Sequence, residues 1–400
     1  MKNEKLFELR VKLGALAVFR DLLSDTVLSS LLDYMDAAEG DIKNAASAYA
    51  RFVHALYSAN GGNLSLHIKE LCENSENIYV KAVGKGIDPG EHIKKSLKGE
   101  LALLQEISEL SPKELCLPIM SAGYLPEYIY GGVDIKESFM HRAENIGKYG
   151  YGIYAKHKMF YIGAAGDIIP VKNPDGTRLC DLVDYEAERN QILDNTKALL
   201  CGKPASNILL TGDAGTGKSS SIKAVVNELS CEGLRIIEVR KDQLGMIPAV
   251  LDELAENPLK FILFIDDLSF LKDDDNFNAL KAVLEGSVSA RSKNTAIYAT
   301  SNRRHIIKEK FSDREGDDIH RNETVQELIS LSERFGMHIS FSKPNKATYL
   351  HIVNELAKQK GISMAQEELE LLAERFALER GGRSPRLANQ LTDKLVADCK

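Results

Sequence analysis

The sequence predicts an α/β fold. It should contain a P-loop parallel sheet with helices on both faces, a C-terminal group of helices, and a mainly helical N-terminal region with a small β-hairpin. Three observations carry this. First, the stretch Gly212-Asp213-Ala214-Gly215-Thr216-Gly217-Lys218-Ser219 follows the short apolar run 207–211 and precedes Ile222, Val225, Val226 and Leu229, which share one helical face. Second, the wholly apolar run 261–265 ends in Asp266-Asp267, as suits a strand buried on both faces. Third, apolar runs alternate with helical periodicities from about 178 to 342, the pattern of βαβ units.

The glycine-rich stretch fits G-x-x-x-x-G-K-[ST], and its strand–loop–helix setting is the one that pattern requires. Glycines let backbone N–H groups curl around phosphate oxygens, and the helix N-terminus adds partial positive charge. Residues 212–219 and Ser220 are therefore expected to bind a nucleotide, ATP. Lys218 is expected on the β/γ-phosphates and the Ser219 hydroxyl on Mg²⁺. A glycine-rich turn with a chance lysine is the bland alternative, and the flanking elements disfavour it.

Asp266 and Asp267 fall at the C-terminal end of a strand, where open α/β sheets place ligands. Asp266 is expected to hold Mg²⁺, directly or through water. Asp267 is placed to orient or deprotonate an attacking water. An acidic turn is the competing reading, and Lys272-Asp273-Asp274-Asp275 shows that this chain contains such turns. Pairing with a P-loop upstream favours the metal-site reading.

Composition agrees with a globular protein of more than one domain. The 400 residues are 44% hydrophobic and 27% charged, ordinary values, and suffice for sizeable cores. A net charge of −7 does not suggest a protein that coats nucleic acid, although a local basic patch stays compatible with it. Six cysteines without a C-x-x-C read as thiols of a reducing cytosol, so a cytoplasmic location is expected. No signal peptide or membrane-spanning run is expected. The histidines show no zinc-site spacing, and no G-x-S-x-G nucleophile elbow occurs.

Three regions follow from the periodicities. Residues 1–175 read as a helical region and a possible partner-binding module. Leu6, Leu9, Leu13 and Leu16 open it at helical spacing. Gly61-Gly62 stops the pattern, another helix is expected over 93–110, and a β-hairpin over 151–171. The tyrosines of this region are assigned to packing rather than to base stacking. Residues 176–342 form the α/β domain, with further strands at 234–239, 296–300 and 337–341 and helices at 247–254 and 276–285. Residues 343–400 read as a helical C-terminal region. Ser363-Met364-Ala365-Gln366 reads as a capping box, and Ser384-Pro385 as the start of the last helix.

The sequence resembles the AAA+ ATPases, and within them a bacterial family known as domain of unknown function 815. The residues that carry the resemblance are Asp181-Leu182-Val183-Asp184-Tyr185-Glu186, the P-loop, Phe264-Ile265-Asp266-Asp267-Leu268-Ser269-Phe270, Tyr298-Ala299-Thr300-Ser301-Asn302-Arg303-Arg304-His305 and Leu331-Ser332-Glu333-Arg334-Phe335-Gly336. The resemblance spans roughly 178–400. It implies an ASCE-type sheet, a helical lid, and ATP bound between neighbouring subunits of a homo-oligomer.

It also implies roles for three residues. Asn302 matches sensor 1, whose amide can bond both the γ-phosphate and the attacking water. Arg334 matches the arginine finger, which stabilises transition-state charge in an adjacent subunit. Arg303 and Arg304 compete for that role. Arg386 matches sensor 2 in the lid. A cation in the first turn of a helix opposes the macrodipole, and a nearby phosphate would offset that. Arg383 could substitute for it.

Two departures from the wider pattern matter. Asp267 stands where AAA+ enzymes more often have Glu, so turnover could be slow or assembly-dependent. The loop Arg240-Lys241-Asp242-Gln243-Leu244-Gly245-Met246 lacks the aromatic residue of protein-threading machines. The expected function is thus a Mg-ATP-dependent ATPase that remodels or switches an unidentified macromolecular partner. A nucleotide-gated scaffold with little turnover and a nucleic-acid loader are the alternatives.

Overall fold

The computed structural model describes residues 4–268, 275–285, 293–302 and 333–398. The chain divides into two compact units, Met1–Lys156 and His157–Lys400.

The first unit is helical. Its longer helices are Glu4–Gly14, Thr26–Ala37, Ile42–Asn60, Leu64–Asn74, Glu91–Ser108 and Ile135–Glu144. They form because apolar residues recur at helical spacing and polar side chains cap the ends. Leu6, Leu9 and Leu13 bury one face of the first helix. Asp25, Asp41, Asn63 and Asp134 each accept an N–H of the first turn they precede. Gly61, at φ 60°, ends the helix Ile42–Asn60 in the left-handed conformation a glycine adopts without strain. A continuous apolar core includes Leu31, Phe52, Leu56, Ile68, Leu104 and Phe139.

The second unit is built on a 7-stranded sheet in the order β2-β1-β4-β5-β6-β3-β7. The strands are β1 (Met159–Ile162), β2 (Ile168–Pro170), β3 (Ile208–Gly212), β4 (Leu234–Glu238), β5 (Lys260–Ile265), β6 (Thr295–Ser301) and β7 (Met337–Phe341). All neighbours pair in parallel except β1 with β2. The strand β3 that enters the P-loop therefore lies between β6 and β7, and β6 separates it from the acidic strand β5. Such an arrangement brings the C-terminal ends of β3, β5 and β6 to one edge of the sheet. Three helices, Lys346–Gln359, Gln366–Glu379 and Pro385–Asp398, close the chain around their own core of Tyr349, Ile352, Val353, Ala373 and Leu391.

Two expectations need correction. The boundary near 175 moves to 156/157. The hairpin belongs to the sheet rather than to the helical region, because β1 pairs with β4 from Met159↔Ile236 to Tyr161↔Glu238 and buries Phe160 and Ile162. Residues Ile153–Lys156 ahead of it are helical, not extended. The capping box at Ser363 is also absent. The helix begins at Gln366 with Ala365 at its N-cap and no side-chain cap, so Ser363 lies too early to reach the first turn. Glu367 and Glu368 supply negative charge to that turn instead.

Candidate nucleotide site

The P-loop leaves β3 through Gly212, whose φ of 140° suits glycine alone. A Cβ there would lie 2.0 Å from the Phe341 carbonyl oxygen, so β7 could not pair so closely with any other residue. Gly217, at φ 93°, turns the chain into the helix Lys218–Leu229. The Thr216 hydroxyl donates to Asp213 O (2.9 Å) and braces the loop.

Lys218 is only 5% exposed. Its Nζ donates to Gly212 O (2.8 Å), Asp213 O (2.8 Å) and Asn302 Oδ1 (3.0 Å). All three ammonium donors are thus used within the protein. Burial pushes the Lys218 pKa down from its ordinary value, against the opposing fields of Asp213, Asp266 and Asp267. Gly212 and Asp213 give their carbonyls to this lysine and do not line the cleft, whereas Ala214, Gly215, Thr216, Gly217, Lys218, Ser219 and Ser220 do.

The acidic turn after β5 meets the P-loop helix directly. The Ser219 hydroxyl donates to Asp266 Oδ1 at 2.6 Å. Asp267 takes a left-handed φ of 50°, uncommon outside glycine and tolerated by Asp. Its carboxylate Oδ1 accepts from Asn302 Nδ2 at 2.7 Å. One amide therefore links the lysine to the second acid. A hydroxyl and a carboxylate oxygen side by side are hard donors, too few for an all-protein cage. They suit Mg²⁺, which is bound by one or two protein oxygens together with phosphate and water. Among the described residues no group of three or more His, Cys, Asp or Glu is placed to hold a metal.

These residues line part of a cleft of about 830 Å³. The rest of its lining was not legible in the sequence. It contains Leu182, Val183, Tyr185 and Arg189 before and within the helix Glu186–Leu200, and Ile352 and Leu356 of the C-terminal helices. Asp184 and Tyr185 both have positive φ, 57° and 63°, which turns this segment along the cleft. The Tyr185 ring stacks on Phe341 with centroids 5.4 Å apart, and its hydroxyl donates to Ser342 O at 2.6 Å. Burial first, then nearby carboxylates, push its phenol up to about 12. The Arg189 guanidinium donates to Leu182 O at 3.1 Å and holds the segment down. Only the quoted stretch 181–186 hinted at this lining, since its residues have no motif chemistry of their own.

The two candidate arginines at the start of the last helix separate cleanly. Arg383 forms a bidentate pair with Glu374, at 2.9 and 2.7 Å. Arg386 lines the cleft, and its backbone N–H donates to Gly215 O at 3.1 Å, joining the last helix to the P-loop. A Cβ on Gly215 would come within 3.0 Å of Arg386 Cβ. Arg334 sits just before β7 and is not among the lining residues. Arg303 and Arg304, with Leu331 and Ser332, lie outside the described residues.

The profile of a family described as "Protein of unknown function (DUF815)" matches residues 155–399. The chain belongs to this family. Its second unit is a mostly parallel sheet carrying the P-loop, followed by a helical C-terminal region. No curated protein matches the chain. Among solved structures it is similar to the Thermotoga maritima RuvB Holliday junction branch migration motor, at 17% identity and a TM-score of 0.38 over 54% of this chain and 63% of that one. A variant of the same RuvB gives 18% identity and a TM-score of 0.38 over the same shares. The chain thus spans less than two thirds of the solved chains it matches. No helix among the described residues is long and apolar enough to cross a membrane.

Proposed function

We propose that this member of the family is a Mg-ATP-dependent ATPase that couples hydrolysis to switching or remodelling a macromolecular partner. The observation that supports this best is the convergence of Lys218, Ser219, Asp266, Asp267 and Asn302 on a cleft that is also lined by the apolar side chains of Leu182, Val183, Ile352 and Leu356. That lining matches a nucleotide, with phosphates at the helix N-terminus and the base against Leu182, Val183, Ile352 and Leu356.

In this reading, residues 214–220 cradle the phosphates. Lys218 exchanges its carbonyl partners for phosphate oxygens. Ser219 and Asp266 hold Mg²⁺, which would neutralise charge on the phosphates when bound. Asp267 handles the attacking water, and Asn302, already in contact with both Lys218 and Asp267, orients it. Arg386 reaches the phosphates from the lid side. Arg334, away from the cleft of its own chain, acts on a neighbouring copy in a homo-oligomer.

A nucleotide-gated scaffold is the second reading. Its support is Asp267, shorter than the usual Glu and engaged by Asn302. The net charge of −7 makes a nucleic-acid loader the least favoured of the three.

Calorimetry and turnover measurements on two variants test the proposal. Lys218→Ala should lose about 100-fold or more in ATP affinity, as expected for removing a charge-assisted phosphate contact. It should keep its fold, although the Gly212 and Asp213 carbonyls lose their partner. Asp267→Asn should bind Mg-ATP normally and lose at least about 100-fold in turnover. Wild-type affinity in Lys218→Ala would remove the nucleotide reading. Normal turnover in Asp267→Asn would assign the base elsewhere.

A further inference from the structure

Thr300 touches the acidic turn at three points. Its hydroxyl donates to Asp266 Oδ1 at 2.6 Å. The same hydroxyl accepts the backbone N–H of Asp267 at 3.0 Å. Its carbonyl accepts the N–H of Leu268 at 2.7 Å. Thr300 is 2% exposed, near the end of β6 and two residues before Asn302.

We propose that the Thr300 hydroxyl is a positioning group for hydrolysis, setting the metal-side carboxylate of Asp266 and the left-handed backbone of Asp267 with a single oxygen. This rests on the ATPase reading above and deepens it. The physics is specific. A carboxylate that accepts from two hydroxyls, Ser219 and Thr300, is fixed in rotation about its own bond. A residue at positive φ needs something to hold it, because L side chains leave that region easily. Among the described residues, the Asp267 N–H otherwise reaches only Asp266 Oδ1, at a longer 3.2 Å. Since both acids hang on one oxygen, their relative geometry is transmitted from β6, the strand that also delivers Asn302. Thr300 lines the cleft, but its hydroxyl is committed to the two acids and in this scheme acts through them.

The test compares Thr300→Val, which keeps the shape and removes the hydroxyl, with Thr300→Ser, which keeps the hydroxyl. Three quantities are read on the full chain: turnover, ATP affinity with Mg²⁺ and with EDTA, and the exchange rate of the Asp267 amide proton by NMR. Thr300→Val should lose about tenfold or more in turnover, the scale of one hydrogen bond to a charged group. Its affinity in EDTA should stay unchanged while the gain from Mg²⁺ shrinks. The Asp267 amide should exchange faster. Thr300→Ser should restore all three. Thr300→Ala, also without the hydroxyl, must reproduce the split even if the valine variant folds poorly. Wild-type turnover and wild-type amide protection in either hydroxyl-free variant would overturn the inference alone. So would an equal loss in Thr300→Ser, since packing would then be the cause. A wild-type chain that neither binds nor hydrolyses ATP would overturn the ATPase reading, and this inference with it.

Discussion

Both units bury polar side chains, but they use them differently. In the helical unit Ser65, His67, Ser75, Asn77 and Ser108 are buried. The Ser65 hydroxyl donates to Ser108 O, His67 pairs with the N-cap Asp25, and Asn77 caps the helix Ile78–Gly84. These bonds are local or link one helix end to a neighbour, and they leave no cluster of chemistry. In the second unit Thr216, Lys218, Thr300 and Ser301 are buried at the ends of β3 and β6. Asn195 and Asn294 show that this unit also has purely structural amides, tied to Ser206 O and Leu254 O. The difference lies in topology. Antiparallel and crossing helices scatter their termini around a bundle, whereas parallel strands bring theirs to one edge. Polar residues at scattered ends become caps, and polar residues at a shared end become a site.

The contrast can be broken most forcefully through Arg334, which belongs to the second unit yet stays off its cleft. If the site is completed by another copy, specific activity should rise with protein concentration. Arg334→Ala should then bind ATP nearly normally and lose about 10³-fold in turnover. Mixing it with Lys218→Ala should restore part of the activity, because some interfaces would pair an intact pocket with an intact finger. Concentration-independent turnover with no recovery on mixing would make the site self-sufficient within one chain.

A cut into the helical core sharpens the contrast from the other side. Phe52 is fully buried and packs edge-on against Tyr128, with centroids 5.6 Å apart. Phe52→Ala should cost the helical unit about 3–5 kcal/mol, through lost burial and a cavity. Segment-resolved hydrogen exchange should show faster opening within 4–156, while ATP affinity stays at the wild-type value. An equal loss of affinity would mean that the two units do not divide stability and chemistry between them.

The smallest expected effect concerns His351 on the helix Lys346–Gln359, whose Nδ1 lies 3.0 Å from Asp184 Oδ2. The hydrogen bond to Asp184 raises the His351 pKa above its ordinary value. A raised folded-state pKa stabilises the fold fully below the unfolded value of about 6.5. That stabilisation is lost as pH rises through the folded pKa. The melting-temperature difference between wild type and His351→Gln should therefore be largest in mild acid and vanish on the alkaline side. A constant difference across pH would assign the contact to packing.

Much of the fold was legible because its signals are short-range. The run 261–265 could only be a buried strand, and Ile222, Val225, Val226 and Leu229 could only face a core as a helix. The hairpin was found but assigned to the wrong unit. Its partner β4 is more than seventy positions away, and nothing in the residues 159–170 names that partner. The Ser363 cap failed for a similar reason, since a cap depends on where the first helical turn begins and not on the residue alone.

By itself, the sequence determined the P-loop and the acidic strand end that meet at the cleft. Gly212, Gly217, Lys218, Ser219, Asp266 and Asp267 are adjacent along two short motifs, and their spacing reflects a loop and a strand end. Only the tertiary structure decided what surrounds them. It committed Arg383 to Glu374 and left Arg386 on the cleft, brought Leu182, Val183 and Tyr185 together with Ile352 and Leu356 of the C-terminal helices, and set Thr300 against both acids. The physical reason is that these choices depend on which strands and helices end beside one another. The order β5-β6-β3 settles that through pairing between distant segments, which no local pattern records.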